Sequence, residues 1–288
     1  GVRFLAVNVS AYDAHKHGAL PLVADARAAL VDLAEALGGW RVPAEHERAI
    51  AAAREDWERA WSDIVRPAHA ASALLHQAEV IRIVNEALDE RAVVVHAAGG
   101  LPGDVHKLWK SRGGDYHSEY GYSCMGYEIA GALGVKMAQP AREVYALVGD
   151  GSYLMLNHEI VTSLQEARKI TVVLLDNHGY QCIHNLQRAC GSAGFGNQFR
   201  VEVDFVANAR SLGAWAASAR TAEELARALD QAREQERTAV IHVPVEPSTP
   251  LPGYSWWDVP IAEVSDSADV RAARAAYEEA RRRQRFFG

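Results

Sequence analysis

The sequence predicts an α/β protein built around a parallel β-sheet flanked by helices. Four short segments rich in valine, isoleucine and leucine alternate with helical segments, at residues 92–96, 144–148, 170–175 and 239–243. Such continuous apolar segments are typical of strands buried on both faces of a parallel sheet, because crossover helices cover both faces. Polar loops directly follow three of the segments, and open parallel sheets bind ligands beyond the carboxyl ends of their strands.

The composition is that of an ordinary globular protein. The chain has 288 residues, a hydrophobic fraction of 49% and a net charge of -7, and this acidic balance argues against a nucleic-acid surface. It contains no apolar run long enough to span a membrane. The three cysteines include no C-x-x-C pair, so neither a disulfide framework nor a zinc cluster is indicated, and we expect a cytoplasmic location.

The first 40 residues predict one strand and one helix, which is too little for a domain. Residues 3–9 read as a buried strand, and Pro21 introduces a helical pattern that ends at Gly38-Gly39. Because the chain opens inside a strand without an initiator methionine, we expect it to be part of a longer protein.

Three further regions follow. Residues 41–68 are interpreted as a linker helix that docks through Trp57 and Trp61, and residues 69–250 as the α/β domain. Residues 251–288 form a C-terminal extension, with a proline-rich stretch around Trp256-Trp257 and a charged helix at 268–283.

The three polar loops are the candidate functional segments. The first contains Ala98, Gly99 and Gly100, the second is Gly149-Asp150-Gly151-Ser152, and the third is Asp176-Asn177-His178-Gly179. Glycines allow a backbone to approach a ligand closely and to offer its N–H groups. Taken singly, each loop has a structural alternative: a simple turn, or a helix cap at Asp150.

The second and third loops together predict a magnesium site. Twenty-four residues separate Gly151 from Asp176, which suffices for a helix and a parallel return strand. Asp150 and Asn177 should therefore converge, with a turn carbonyl nearby. Carboxylate, amide and carbonyl oxygens are ligands suited to Mg²⁺, with phosphate oxygens and water completing the shell.

Gly-Asp-Gly followed by Asp-Asn resembles the signature of thiamine-diphosphate-dependent enzymes of the acetolactate synthase and pyruvate decarboxylase type. The resemblance implies that Mg²⁺ is bound by the side chains of Asp150 and Asn177 and by the main-chain carbonyl of Gly179. Asp176 stands where the family usually has a first asparagine, which is not a ligand.

An upstream segment, residues 121–127, resembles the part of the family that supports the bent cofactor. Met125 matches the large residue beneath the thiazolium ring, and Ser123 matches the residue whose carbonyl accepts a bond from the pyrimidine amino group. Without the Gly-Asp-Gly motif, Met125 would be interpreted as helix-packing core. The residues implied to line the cofactor are Ala98, Gly99, Gly100, Ser123, Met125, Gly149, Gly151 and Ser152.

Longer matches narrow the resemblance. Residues 119–131, 151–155 and 254–260 are similar to the trihydroxycyclohexane-dione hydrolases of myo-inositol breakdown, and residues 16–27 resemble the end of their Rossmann-like central domain. This implies hydrolytic ring opening of a cyclic 1,2-dione to 5-deoxyglucuronate, with the cofactor as electron sink. Gly100, where serine is expected, and His184-Asn185 depart from the pattern and leave substrate contacts open.

The resemblance also implies that part of the active site lies outside this chain. Family members activate the cofactor with a glutamate on a separate pyrimidine-binding domain, so we expect that domain in a preceding segment or a second subunit. The chain alone should be inactive, and the complete enzyme a homo-oligomer.

The sequence leaves open which histidine takes part in the reaction and which function the chain has. His178 is the first candidate for substrate binding or proton transfer. His96, His117 and His184 are weaker candidates. Another thiamine diphosphate enzyme and a non-catalytic cofactor-binding module are the alternative functions. A nicotinamide-binding domain is less favoured, because the glycine run at residues 191–196 follows no predicted strand.

Overall fold

The computed structural model describes residues 3–66, 74–247, 251 and 259–284. The chain divides into two compact units, Gly1–Glu58 with Ala275–Gly288, and Arg59–Arg274. The predicted start of the α/β domain at residue 69 and the Trp256-Trp257 stretch lie outside the described residues. The predicted domain limits therefore stay predictions.

The first elements are two parallel strands and three helices: β1 (Leu5–Asn8), α1 (Ala11–Ala14), β2 (Leu20–Val23), α2 (Ala26–Ala36) and α3 (Ala44–Ile64). The predicted start of a helix at Pro21 is wrong. Pro21 lies in β2, in register with Ala6 of β1. The helix begins later because the Asp25 side chain accepts a hydrogen bond from the amide of Ala28 (3.0 Å) and caps its first turn.

Helices and strands alternate through the rest of the chain. The helices are α4 (Gln77–Ala87), α5 (Leu101–Leu108), α6 (Tyr127–Ala138), α7 (Asp150–Leu156), α8 (Glu159–Gln165), α9 (Gln181–Ala189), α10 (Phe205–Ser211), α11 (Ala222–Arg233) and α12 (Ala268–Arg283). The strands are β3 (Val93–His96), β4 (Tyr116–Ser118), β5 (Val144–Gly149), β6 (Thr171–Asp176), β7 (Trp215–Ser218) and β8 (Ala239–Pro244).

Strands β3 to β8 form one sheet in the order β4-β3-β5-β6-β8-β7, and all of its pairings are parallel. The predicted fold class is confirmed, and the four predicted strands occupy its centre. The two edge strands, β4 and β7, were not predicted. Their sequences, Tyr-His-Ser and Trp-Ala-Ala-Ser, are short or alanine-rich, so only pairing with a neighbouring strand defines them.

The sheet has an apolar layer on each face. Val94, Leu147 and Val173 belong to one buried cluster, whereas their neighbours Val95, Val148 and Leu174 belong to the other. Alternate residues of each strand therefore point to opposite hydrophobic layers, which explains the continuous apolar sequence of these strands.

Trp61 of α3 docks as the sequence predicts. Its indole Nε1 donates a hydrogen bond to the carbonyl of Leu108 (3.0 Å), and the ammonium of Lys110 lies 3.7 Å from the ring centroid. Hydrogen bond and cation–π contact together fix the end of α3 against α5.

Within the described ranges, no helix combines the length and apolarity that a bilayer crossing requires.

Replacing Leu147 with alanine should lower the free energy of unfolding by about 2–5 kcal/mol, because the side chain is fully buried in the central strand. Urea unfolding of the purified chain measures this change. Leu154→Ala is the matched control: its side chain is 38% exposed and alanine favours helix, so the loss should stay below about 1 kcal/mol. Equal losses in the two variants would contradict this description of the core.

Candidate functional site at the carboxyl edge of the sheet

The three predicted loops leave adjacent strands on the same side of the sheet. β3, β5 and β6 are neighbours, and parallel pairing places Gly149 of β5 opposite Leu175 of β6. The loops that begin at residues 97, 150 and 177 therefore emerge side by side. The predicted convergence of the Gly-Asp-Gly and Asp-Asn motifs is confirmed.

Asp150 joins the second and third loops. Its carboxylate is 1% exposed, with Oδ1 accepting from the amide of Gly151 (2.7 Å) and Oδ2 from the amide of Gly179 (2.8 Å). Gly149, and not Asp150, is the residue that precedes the first turn of α7. Asp150 is therefore a bridge between loops rather than the helix cap that was the structural alternative.

Glycine is required on both sides of this bridge. A Cβ at Gly151 would lie 2.7 Å from the ring of Tyr180, and one at Gly179 would lie 2.3 Å from the carbonyl oxygen of Asn197. Gly179 also has a φ of 142°, which side-chain-bearing residues rarely adopt. Gly151 thus leaves room for the Tyr180 ring, and Gly179 allows the third loop to approach the backbone at Asn197 closely.

Asn177 presents an unsatisfied ligand atom. Its Oδ1 is buried and has no hydrogen-bond partner in the part of the chain that the structure describes. A buried polar atom without a partner costs about 1–3 kcal/mol, so this oxygen is available to a metal ion or a water molecule. The nearby Gly179 carbonyl accepts from the amide of Gln181 (3.1 Å) and keeps a second lone pair.

Carboxylate, amide and main-chain oxygens thus lie in one region, and this set fits a hard divalent cation such as Mg²⁺. Among the described residues, no group of three or more His, Cys, Asp and Glu side chains could hold a metal. The fit depends instead on the mixed oxygen set of Asp150, Asn177 and Gly179.

Asp176 is held by a partner that sequence reasoning missed. His242 of β8 lies with Nε2 2.9 Å from Asp176 Oδ2, and the amide of His178 donates to Oδ1 (3.0 Å). Burial opposes ionisation of Asp176, but hydrogen bonds from His242, Asp150 and the His178 amide together hold its pKa below the usual value. A histidine in the otherwise apolar strand β8 was the available sequence signal.

Burial, together with the adjacent Asp176 carboxyl, raises the pKa of Asp150 to about 7. A bound divalent cation supplies the positive charge that favours the ionised carboxylate. The electrostatics of the pair therefore suit a cation at this edge.

The glycine-rich loop after β3 exposes Gly99 and Gly100 immediately before α5, and Gly99 has a φ of 85°. Exposed amides at a helix start are suited to anions. Ala98 differs: it is buried, and its amide donates to Glu128 Oε1 (3.0 Å). The Ala98 amide therefore orders the loop instead of facing the opening.

The segment before α6 carries Ser123 and Met125. Glu119 organises it, because its two carboxylate oxygens accept from the amides of Tyr122 (3.0 Å) and Cys124 (2.8 Å). Ser123 has a φ of 53°, and Met125 is 38% exposed. Met125 is thus outside the helix core, which was its structural alternative, and remains a candidate support for the cofactor.

The candidate histidines have separate surroundings. His178 is exposed in the third loop, His117 bonds the hydroxyl of Tyr127 (2.7 Å), and His184 bonds the side chain of Asn197 (3.1 Å). His96 is fully buried against Tyr116, and neither ring nitrogen has a partner among the described residues. Only His178 directly adjoins the candidate metal ligands.

The sheet and the three loops at its carboxyl edge define an α/β domain of the cofactor-binding class. Residues 97–243 match the family described as thiamine pyrophosphate enzyme, C-terminal TPP binding domain. The chain belongs to this family. The match covers all three loops, so the predicted fold and the thiamine diphosphate assignment are confirmed.

Two relatives are similar over 94% of the chain at 42% identity. They are 3D-(3,5/4)-trihydroxycyclohexane-1,2-dione hydrolase 2 of Bacillus cereus (strain ZK / E33L) and 3D-(3,5/4)-trihydroxycyclohexane-1,2-dione hydrolase of Bacillus thuringiensis (strain Al Hakam). The chain spans 48% of the length of each. The resemblance to trihydroxycyclohexane-dione hydrolases is thereby confirmed.

Solved structures share the fold. The thiamine diphosphate-dependent 4-hydroxybenzoylformate decarboxylase of Rhodococcus jostii RHA1 is similar over 63% of this chain and 34% of its own, with a TM-score of 0.58 and 21% identity. Benzoylformate decarboxylase from Polynucleobacter necessarius is similar over 60% of this chain and 33% of its own, with a TM-score of 0.54 and 22% identity.

His96 should make stability depend on pH. Burial, with smaller contributions from His117 and His106, lowers its pKa from 6.5 to about 4 in the folded chain. The unfolded chain therefore takes up a proton first as the pH falls, and folding stability is lost between about pH 6.5 and pH 4. The loss reaches at most about 1.4 kcal/mol per pH unit.

Urea unfolding at pH 7 and pH 5.5 tests this, with His96→Phe as the comparison because phenylalanine keeps the ring against Tyr116. The unchanged chain should lose about 1 kcal/mol more than the variant over this interval. The same pH dependence in both proteins would show that His96 does not contribute.

Proposed function

We propose that this chain is the cofactor-diphosphate half of a thiamine-diphosphate- and Mg²⁺-dependent hydrolase. Its reaction is the ring opening of trihydroxycyclohexane-1,2-dione to 5-deoxyglucuronate in myo-inositol degradation. The observation that carries the proposal is the Asp150–Gly179 bridge beside the unpaired oxygen of Asn177. The substrate assignment is supported by relatives that share 42% identity over 94% of the chain and bear the name of this hydrolase.

Each loop has a separate role in this proposal. Asp150, Asn177 and the Gly179 carbonyl hold Mg²⁺, and the exposed amides of Gly99 and Gly100 receive the diphosphate. When bound, the cofactor supplies a nucleophilic carbon and an electron sink for cleavage of the bond between the two carbonyls.

The other residues orient the cofactor ring. Met125 would support the thiazolium ring, and the carbonyl of Ser123 would accept a hydrogen bond from the pyrimidine amino group. Glu119 holds both residues in a fixed turn through two amide hydrogen bonds. His178, exposed next to Asn177, is the candidate for contact with the diketone or for proton transfer.

The proposal includes a pyrimidine-binding domain, either in another part of a longer polypeptide or in a second subunit, and a homo-oligomeric complete enzyme. The relatives are about twice as long as the matched region, since the chain spans 48% of them. A large apolar side chain is exposed in the segment that carries Ser123 and Met125, where Tyr122 is 90% accessible. Exposed apolar groups of this kind favour coverage by a further domain.

Alternative functions retain some support. Another thiamine diphosphate enzyme, or a non-catalytic cofactor-binding module, would use the same loops. A nicotinamide site is disfavoured, because the glycine run at residues 191–196 follows helix α9 instead of a strand.

Asp150→Asn and Asn177→Ala should each weaken Mg²⁺-dependent binding of thiamine diphosphate at least about tenfold, because each removes a metal ligand. Titration calorimetry with and without Mg²⁺ measures the change. Asp115→Asn is the matched control: this carboxylate is also buried but precedes β4, at the amino edge of the sheet.

The control should lower stability without changing cofactor affinity. Binding of NAD in place of thiamine diphosphate, or undiminished cofactor binding in both loop variants, would contradict the proposed site.

The purified 288-residue chain, supplied with cofactor and Mg²⁺, should not open the dione ring, because the family's activating glutamate belongs to a separate domain. Product formation is followed by chromatography, with a complete family enzyme as the positive control. Measurable ring opening by the chain alone would refute the assignment of a half-site.

A further inference from the structure

A buried carboxylate links two of the three loops of the candidate cofactor site with the segment that precedes α6. Glu128, in the first turn of α6, is 1% exposed. Its Oε1 accepts from the amide of Ala98 (3.0 Å), in the loop after β3. Its Oε2 accepts from the hydroxyl of Ser152 (2.7 Å), in the turn after β5.

The segment before α6 joins through Ser152. The Ser152 oxygen accepts from the amide of Gly126 (2.7 Å), at the end of the segment that carries Ser123 and Met125. The Ser152 hydroxyl donates its one hydrogen to Glu128, and its oxygen accepts from the Gly126 amide. Both oxygens of Glu128 thus act as acceptors.

A buried ionised carboxylate is expensive for the fold unless several donors compensate it. Burial raises the pKa of Glu128, while the Ala98 amide and the Ser152 hydroxyl act against that shift. Apolar residues surround this position: Ile129 and Ala132 of the same helix are buried in the core. An apolar side chain would serve packing alone, so the carboxylate indicates a role at the loops.

We propose that Glu128 is a positioning residue for the cofactor, holding the glycine loop, the Met125 segment and the Gly-Asp-Gly-Ser turn in one arrangement through Ala98, Ser152 and Gly126. The inference rests on the proposed thiamine diphosphate site. It also assigns a definite role to Ser152, because its hydroxyl connects protein loops, whereas the sequence predicted that it contacts the cofactor.

The hydrogen bonds of Glu128 and Ser152, called the clamp below, hold backbone next to two glycines. Gly99 and Gly126 both have positive φ values, 85° and 89°, one residue after Ala98 and at the start of α6. Glycine adopts many backbone conformations, and the hydrogen bonds to Glu128 and Ser152 hold these two glycines in the observed one. Preorganised loops bind a diphosphate without an ordering cost at the time of binding.

The variants for the test are Glu128→Gln, Glu128→Ala and Ser152→Ala. Glutamine keeps an acceptor for Ala98 but places an N–H group against the Ser152 hydroxyl, so its effect should be smaller than that of alanine. Ser163→Ala is the matched control, because this hydroxyl is also 1% exposed and bonds Ile160 (2.7 Å) and Thr238 (2.7 Å) away from the loops.

Hydrogen–deuterium exchange without ligand is the first readout. Glu128→Ala should accelerate exchange of the Ala98 and Gly126 amides roughly tenfold or more while the β5 and β6 amides keep their protection. Ser163→Ala should leave both loop amides unchanged. Unchanged exchange of the loop amides in Glu128→Ala would overturn the clamp, whatever the chain binds.

Affinity for Mg²⁺ with thiamine diphosphate, and separately with inorganic pyrophosphate, is the second readout, at a temperature far below unfolding. Both ligands should bind roughly tenfold more weakly to Glu128→Ala and less so to Glu128→Gln. Faster loop exchange with unchanged affinity would overturn the positioning role. If the unchanged chain binds neither ligand, the proposed function fails, while hydrogen exchange still decides the clamp.

Discussion

The parallel pairing of β5 with β6 is the constraint on which the site depends. Gly149 lies opposite Leu175, so Asp150, which directly follows β5, and Asp176, the last residue of β6, lie at the same level of the sheet. Strand pairing thus makes neighbours of two polar loops that are distant in the chain. The Asp150 carboxylate then fixes their separation through the amide of Gly179.

Three acidic side chains lie at this edge of the sheet. Each has different hydrogen-bond partners that offset the cost of burying a carboxylate. Asp150 accepts main-chain amides, Asp176 is paired with His242, and Glu128 accepts an amide and a hydroxyl. Buried carboxylates are tolerated only with such partners. The buried side-chain oxygen of Asn177, in the loop after β6, has no hydrogen-bond partner among the described residues.

Much of the fold could be predicted from the sequence because burial on both faces leaves a continuous apolar signal. The central strands β3, β5, β6 and β8 carry that signal, and α12 was predicted with its observed bounds. The edge strand β7 has two alanines and no such signal. Pro21 was misassigned because Leu22 fits a helical period as well as a strand, and only the pairing of β2 with β1 decides between them.

The sequence by itself determined the chemical groups of the candidate site and the order in which they follow the strands. Asp150, Asn177 and Gly179 stand in local motifs, and a local motif is readable because its members are close in the chain. The tertiary structure alone decided which groups support them. Glu128 meets Ser152 across 24 positions and Asp176 meets His242 across 66. Such partners follow from strand order and helix packing, which no local pattern encodes.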